Sequence, residues 1–302
     1  MLAQLLQRTL IAQLILGSAL AYWLHSRSTL SKPQAFALVG TFPFLVLALV
    51  NVYTAVVSRG PEPWSAWVRS LLGEYRAGVV IFLLRQPWTR EAPRLLPATG
   101  THKRIPVVLV HGYLCNHRIW DDVAPQLRAQ GHDVFAVNME PLFCSIDRYA
   151  EVVESAIQAL LTHSGQQQVA LVGHSMGGLA IRAWLRVHGR DRAARVLTLG
   201  TPHVGTQVPQ HVKSKNGIQM AWKSEWLDTL AASGVPAAHR LFRIALTPQD
   251  NIVYPQRAQV LPNVTPTVFE GIGHLQMCLD PAVIQWLKGQ LADVDVASAA
   301  AA

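Results

Sequence analysis

The run Gly173-His174-Ser175-Met176-Gly177, followed by Gly178, constrains this chain more than any other stretch. The apolar segment Val169-Ala170-Leu171-Val172 precedes it and reads as a buried strand. Leu179-Ala180-Ile181-Arg182-Ala183-Trp184-Leu185 follows with helical spacing. Strand, sharp turn and helix force a strained backbone on the serine at the apex. Gly173 and Gly177 leave space where a β-carbon would strike the neighbouring strand and helix. Ser175 is thereby expected above the sheet edge with its hydroxyl presented. The alternative is a glycine-rich turn that carries an idle serine.

A serine hydroxyl is a poor nucleophile at neutral pH. It needs a histidine base, and the base needs a carboxylate to orient it. Leu241 to Leu246 reads as a strand, and Thr247-Pro248-Gln249-Asp250-Asn251 is the turn after it. Val264 to Phe269 reads as a last short strand, with the loop Gly271-Ile272-Gly273-His274 beyond it. Asp250 and His274 therefore leave strand ends on the same rim as Ser175, in the chain order Ser, Asp, His. His111 fits the geometry of its own loop better than the role of base. His203 comes too early in the chain, and Asp280 caps the helix that starts at Pro281. An oxyanion also needs two preorganised N–H donors. The strand Ile105 to Val110 ends in His111-Gly112-Tyr113, so the backbone amides of Tyr113 and Met176 are the expected donors.

The coarse plan alternates strands near 107–110, 133–137, 169–172 and 195–199 with helices near 121–130, 146–161 and 176–188. That alternation implies an α/β domain with a parallel sheet and helices on both faces.

Val107 to Tyr113, Gly173 to Gly178, Gly200-Thr201-Pro202-His203-Val204-Gly205-Thr206, Asp250 and His274 together resemble the α/β-hydrolase superfamily, and within it the bacterial lipase group. The resemblance runs from about residue 105 to 292. It implies hydrolysis of acyl esters, by a lipase, a carboxylesterase or a phospholipase A. It implies no cofactor. Some secreted lipases of this group hold a structural calcium with acidic residues around the histidine loop. Here that loop reads Gly273-His274-Leu275-Gln276-Met277, so no metal is carried over. An acyltransferase, thioesterase or peptidase would use the same three residues, and a silent hydrolase-fold scaffold would have no need of all of them.

Half of the 302 residues are hydrophobic and only 15% are charged, against about 25% in an average soluble domain. The apolar excess lies near the N-terminus. Thr9–Leu24 and Pro33–Ser58 hold no charged residue, and a spanning helix needs about 20 apolar residues. Residues 1–60 thus read as a membrane anchor of two helices. The first stretch also fits a signal peptide, since Ala19-Leu20-Ala21 resembles a cleavage site, or a surface helix. Between Arg59 and Arg104 stand Arg69, Arg76, Arg85, Arg90, Arg94 and Lys103, opposed by Glu62, Glu74 and Glu91. The loop between the spans carries Arg27 and Lys32. With two spans, this bias places the catalytic domain on the cytoplasmic side of a bacterial inner membrane; with the second span alone the side reverses. The formal charge of +8 suits anionic lipid rather than nucleic acid, because no nucleic-acid motif accompanies it.

Residues 61–104 read as an amphipathic, basic segment and linker. Trp64, Trp67, Val68, Leu71, Leu72, Tyr75, Val79, Phe82 and Leu83 share one helical face, with Arg69 and Arg76 opposite. That suits a helix in the headgroup layer or one packed on the catalytic domain. Ile218, Trp222, Trp226 and Leu230, spaced four apart in 205–234, suggest a single helix that is either a lid or a fixed cap. Leu114, Phe143, Ile252 and Leu275 are candidates for an apolar substrate pocket because they adjoin the catalytic loops. Cys115, Cys144 and Cys278 are expected as free thiols. Residues 293–302 are expected to be a disordered tail. All three catalytic candidates lie after residue 105, so removal of residues 1–60 is expected to spare cleavage of short soluble esters.

Overall fold

The structure is a computed structural model that describes residues 1–100, 103–208, 213–233 and 239–300. A seven-stranded sheet forms its centre. The strands are β1 (Leu95–Leu96), β2 (Val107–Val110), β3 (Val134–Ala136), β4 (Val169–His174), β5 (Ala193–Leu199), β6 (Phe242–Leu246) and β7 (Thr267–Val268). Their spatial order is β1-β3-β2-β4-β5-β6-β7. All pairings are parallel except that of β1 with β3.

Alternation along β2 shows why the sheet is buried on both faces. Val108 and Val110 point into one core with residues of α5 (Tyr149–Ser164) and α6 (Met176–His188). Val107 and Leu109 point into a second core with residues of α4 (Ala124–Ala129) and α9 (Pro281–Ala300). A strand covered on both faces has no polar position, which is why β2 reads as an unbroken apolar run. The direction of winding reverses between β2 and β4. The crevice at their carboxyl ends is where ligands bind in open α/β sheets.

Ahead of the sheet stand α1 (Leu2–Ser26) and α2 (Lys32–Ser58), both long and apolar enough to cross a membrane. Only 11% of the most apolar window of each is buried, unlike a core helix. They lie side by side: a β-carbon on Gly17 would come within 2.8 Å of Phe42 Cβ. α2 begins with a capping box, in which Ser31 N donates to Gln34 Oε1 at 2.9 Å. It runs through Pro43 without interruption.

The structure departs from the sequence reading in three places. Residues 61–104 are not a linker. α3 (Trp64–Gly78) continues as a π-helix over Val79–Arg85, Ile81 lies in the second core, and β1 adds an antiparallel edge to the sheet. The side of α3 that packs inward is Ala66, Trp67, Ser70, Glu74 and Ala77, largely small and polar. Trp64, Val68 and Leu72 remain 65%, 50% and 65% exposed. Residues 205–234, of which 209–212 and 234 lie outside the described residues, do not form one helix. They form α7 (Lys215–Gln219) and α8 (Glu225–Ala232). Lys223 takes a φ of 53° and Ser224 caps α8, so the four-residue spacing crosses a turn. Ile218 is exposed while Leu230 is buried. α9 extends to Ala300 where a disordered tail was expected from residue 293. Alanine, the strongest helix former, dominates that end of the chain.

Candidate active site

Ser175 sits between β4 and α6 with φ 54° and ψ −127°, a conformation that L-residues hold only when their surroundings enforce it. Its own N–H continues the sheet by donating to Leu199 O at 2.9 Å. A β-carbon on Gly177 would lie 2.1 Å from Val110 O, and one on Gly112 would lie 2.8 Å from Ser175 Cβ. Both glycines are therefore conditions for the turn. Leu114 and Phe143, with φ of 54° and 66°, belong to the same rim. Three of the six non-glycine residues with positive φ among the described residues thus gather here. Such strain concentrates at functional sites.

Asp250 and His274 meet as expected: His274 Nδ1 and Asp250 Oδ2 are 2.7 Å apart. The remaining Asp250 oxygen accepts from the amides of Ile252 and Val253 at 2.9 and 2.6 Å. These bonds fix the carboxylate that orients the ring. Gly200 keeps the pair close to the serine turn, since a β-carbon there would meet Asp250 Oδ2 and His274 Nδ1, each at 3.1 Å. The His174 ring lies 4.6 Å from that of His274, and His174 Nε2 bonds His274 O at 3.0 Å. Ser175, Asp250 and His274 are all buried. Among the described residues no hydrogen bond joins Ser175 Oγ to the imidazole, a contact that often tightens only once substrate binds.

Burial pushes the His274 imidazole down, but the Asp250 charge, the bond to it and the Glu74 carboxylate outweigh this and hold it above the usual histidine range. His174 is driven well below that range by burial and by the proximity of His274. His111 is lowered to about 4 by burial. Its Nε2 accepts from Met139 N at 3.0 Å, so it is a neutral strut of its loop, as the sequence indicated. His203 bonds Thr198 Oγ1 and is likewise structural. Asp280 Oδ1 accepts from Ala282 N at 2.9 Å and caps α9.

Tyr113 and Met176 both line a cavity of about 10 Å³ beside Ser175, together with Leu114 and Phe143. Among the described residues neither backbone N–H has an acceptor, and Met176 opens α6, where such donors point outward unpaired. Ile252 and Leu275 do not line this cavity. The Asp250 carboxylate ties down the Ile252 amide, and Leu275 packs against the second core. Cys115, Cys144 and Cys278 are free thiols. Among the described residues no histidine, cysteine and carboxylate cluster is arranged to hold a metal.

Sequence reasoning missed one buried group at this site. Glu74 of α3 accepts from the amides of Leu275 and Gln276, each at 3.0 Å. The helices before the sheet reach the acid loop too. Ser70 Oγ donates to Gln249 O at 3.2 Å, Asn251 Nδ2 donates to Thr54 Oγ1 at 2.9 Å, and Gln256 Nε2 donates to Ser58 O at 2.8 Å. The only signal was an acid on an otherwise apolar and basic helix.

A family model described as alpha/beta hydrolase fold matches residues 105–247. Methylesterase 3 of Arabidopsis thaliana is 30% identical over 137 residues, 43% of this chain and 52% of that protein. A triacylglycerol lipase of Burkholderia plantarii is 30% identical over 119 residues, 36% of this chain and 33% of that protein. The chain thus spans about half or less of the length of these curated relatives. The crystal structure of the mature Bacillus licheniformis lipase BlEst2 superposes with a TM-score of 0.57 at 17% identity, over 67% of this chain and 99% of that one. Lipase B of Aspergillus fumigatus gives 0.56 at 19%, over 64% and 54%. At such identities the superpositions speak for the fold alone. Together with the matched residues 105–247, they show the α/β-hydrolase fold, and this part of the chain is similar to lipases and esterases.

Proposed function

We propose that the protein is a membrane-held serine hydrolase that cleaves carboxylic esters of lipids through an acyl-enzyme. The 2.7 Å pair of Asp250 and His274 beside the strained Ser175 turn carries this reading. Ser175 Oγ attacks the acyl carbonyl as His274 takes its proton. Asp250 holds the ring and stabilises the imidazolium that forms. The amides of Tyr113 and Met176 receive the oxyanion. His274 then protonates the leaving alcohol, and a water activated by the same base releases the acid.

A lipid substrate is supported by the relatives named triacylglycerol lipase and by the setting of the site. The Ser58 end of α2 attaches to the acid loop through Asn51, Thr54 and Ser58. A bilayer crossed by α2 would therefore lie next to the catalytic rim. The outward stripe Trp64, Val68 and Leu72, with Arg59 stacked 3.9 Å over Trp64, suits the interface of an anionic bilayer. The serine-side cavity of about 10 Å³ is far smaller than a usual ligand pocket of about 300–1,000 Å³, so Tyr113, Leu114 and Phe143 must move to admit an acyl chain. Larger cavities of about 500 and 510 Å³ lie away from the triad, one near Arg94 and Arg118 and one between α1 and α2.

The purified full chain should be assayed in mixed micelles against p-nitrophenyl esters, triacylglycerols and phospholipids, with Ser175→Ala as control. Ester turnover that survives in Ser175→Ala would sink the reading. Turnover of soluble short esters alone would remove lipid as the substrate class.

A further inference from the structure

We propose that Glu74 is a positioning residue for His274: its carboxylate, presented by α3, fixes the loop that carries the base. This rests on the reading of His274 as that base.

The geometry is specific. Glu74 Oε1 accepts from Leu275 N and Oε2 from Gln276 N, each at 3.0 Å, so both oxygens hold the two residues that follow His274. The carboxylate also caps the short helical turn Gln276–Cys278. A β-carbon on Gly273 would lie 2.5 Å from Glu74 Oε2, so the residue before His274 is pressed on the same group. Gly73 makes the approach possible, because a β-carbon there would lie 2.0 Å from Gln276 Oε1. One turn earlier, Ser70 Oγ bonds Gln249 O, and Gln249 Oε1 accepts from Gly271 N at 2.6 Å. A single helix face thus holds the acid loop and the base loop in one frame.

Glu74 is 5% exposed, and the groups that act on it among the described residues are His274, Asp250 and the Leu275 and Gln276 amides, with no lysine or arginine among them. A buried carboxylate without a fixed cation is costly unless it serves its neighbours. The titratable groups facing it are His274 and Asp250, with the buried thiols of Cys115 and Cys278 nearby. His174 faces His274 from the other side. Burial raises Glu74 to about 7, against the pull of His274 and the two amides. The ionised carboxylate in turn favours the imidazolium, adding to the effect of Asp250. Two protons are therefore coupled on the acid side of the pH profile.

The test uses the full chain in micelles and a short soluble ester. In Glu74→Gln one acceptor becomes an NH2 group facing a backbone N–H. We expect kcat to fall about ten- to a hundredfold with KM little changed, the scale of a small misplacement of a catalytic group. The acid limb of kcat/KM should move to lower pH and steepen less, since one anion and one proton are gone. A wild-type kcat with an unmoved limb would overturn the proposal. If Glu74→Gln does not fold, Glu74→Asp decides: its shorter side chain draws the carboxylate away from the Leu275 and Gln276 amides, so kcat should fall with KM little changed, and a wild-type kcat overturns the proposal. Labelling of Ser175 by a fluorophosphonate separates the two failures. An unlabelled wild-type protein overturns the triad reading and this proposal with it. Equal labelling of wild type and Glu74→Gln at every pH overturns this proposal alone.

Discussion

The two halves of this chain are built by different rules. In residues 105–292 most elements announce themselves, 205–234 apart. Apolar runs make strands, helical spacing makes covering helices, and the glycines of the Ser175 turn are dictated by contacts as close as 2.1 Å. In residues 1–104 the same patterns give two apolar helices and an amphipathic one, and nothing more. Yet it is residues 51–74 of that region, through Asn51, Thr54, Ser70 and Glu74, that grip the loops around Asp250 and His274. Apolar patterning reports what a segment buries. It does not report which few polar groups a buried segment aims at a distant loop.

The sharpest way to break the comparison is to remove the proposed nucleophile from the legible half. Ser175→Ala should lower kcat by about a million-fold, the usual cost of disabling a whole triad, and abolish fluorophosphonate labelling with the circular dichroism spectrum unchanged. Asp250→Asn should follow with a loss of roughly 10⁴-fold, the cost of amidating the triad aspartate in a serine protease. The Nδ1 contact at 2.7 Å would then select the wrong tautomer of His274. A variant that keeps near-normal esterase rates at pH 8 would show that another carboxylate orients the base.

What was legible, and what was not, follows from the range of the forces involved. The Ser175 turn is local: five consecutive residues and their steric demands suffice. Asp250 and His274 come together because both follow strands, and a parallel sheet delivers its carboxyl ends to one rim. Tyr113 and Met176 reach one cavity through the same geometry. Leu275 was misplaced because its direction is set by Glu74, about two hundred residues earlier, and no local pattern records that. Ile252 was misplaced for a shorter-range reason, capture of its amide by the Asp250 side chain. The supposed helix through Ile218, Trp222, Trp226 and Leu230 failed because Lys223 and Ser224 break it, a turn signal hidden inside a periodic apolar pattern.

The comparison is sharpened by cutting between the halves. The sequence alone predicts that loss of residues 1–60 leaves short-ester cleavage intact. The structure predicts a loss, because the cut removes Asn51, Thr54 and Ser58 from the acid loop. The truncated protein should turn over p-nitrophenyl butyrate at least about tenfold more slowly, within the range a displaced catalytic group can cost. Equal rates would restore the picture of a detachable anchor.

The smallest effect discriminates between positions on one helix. Asn51 is 6% exposed on α2; its Nδ2 donates to Leu71 O at 2.9 Å and its Oδ1 accepts from Asn251 at 3.3 Å. Asn51→Leu keeps the apolar character of α2 while leaving a buried carbonyl and a buried amide short of partners. That should cost about 1–3 kcal/mol of unfolding free energy in detergent. Thr41, on the same helix ten residues earlier, bonds only within α2, to Ala37 O at 2.9 Å. Thr41→Val should stay within about 0.5 kcal/mol, the usual range for a site without such a network. A purely lipid-facing anchor would treat the two substitutions alike. A helix built into the catalytic frame would not, and denaturant titration of both variants side by side tells these cases apart.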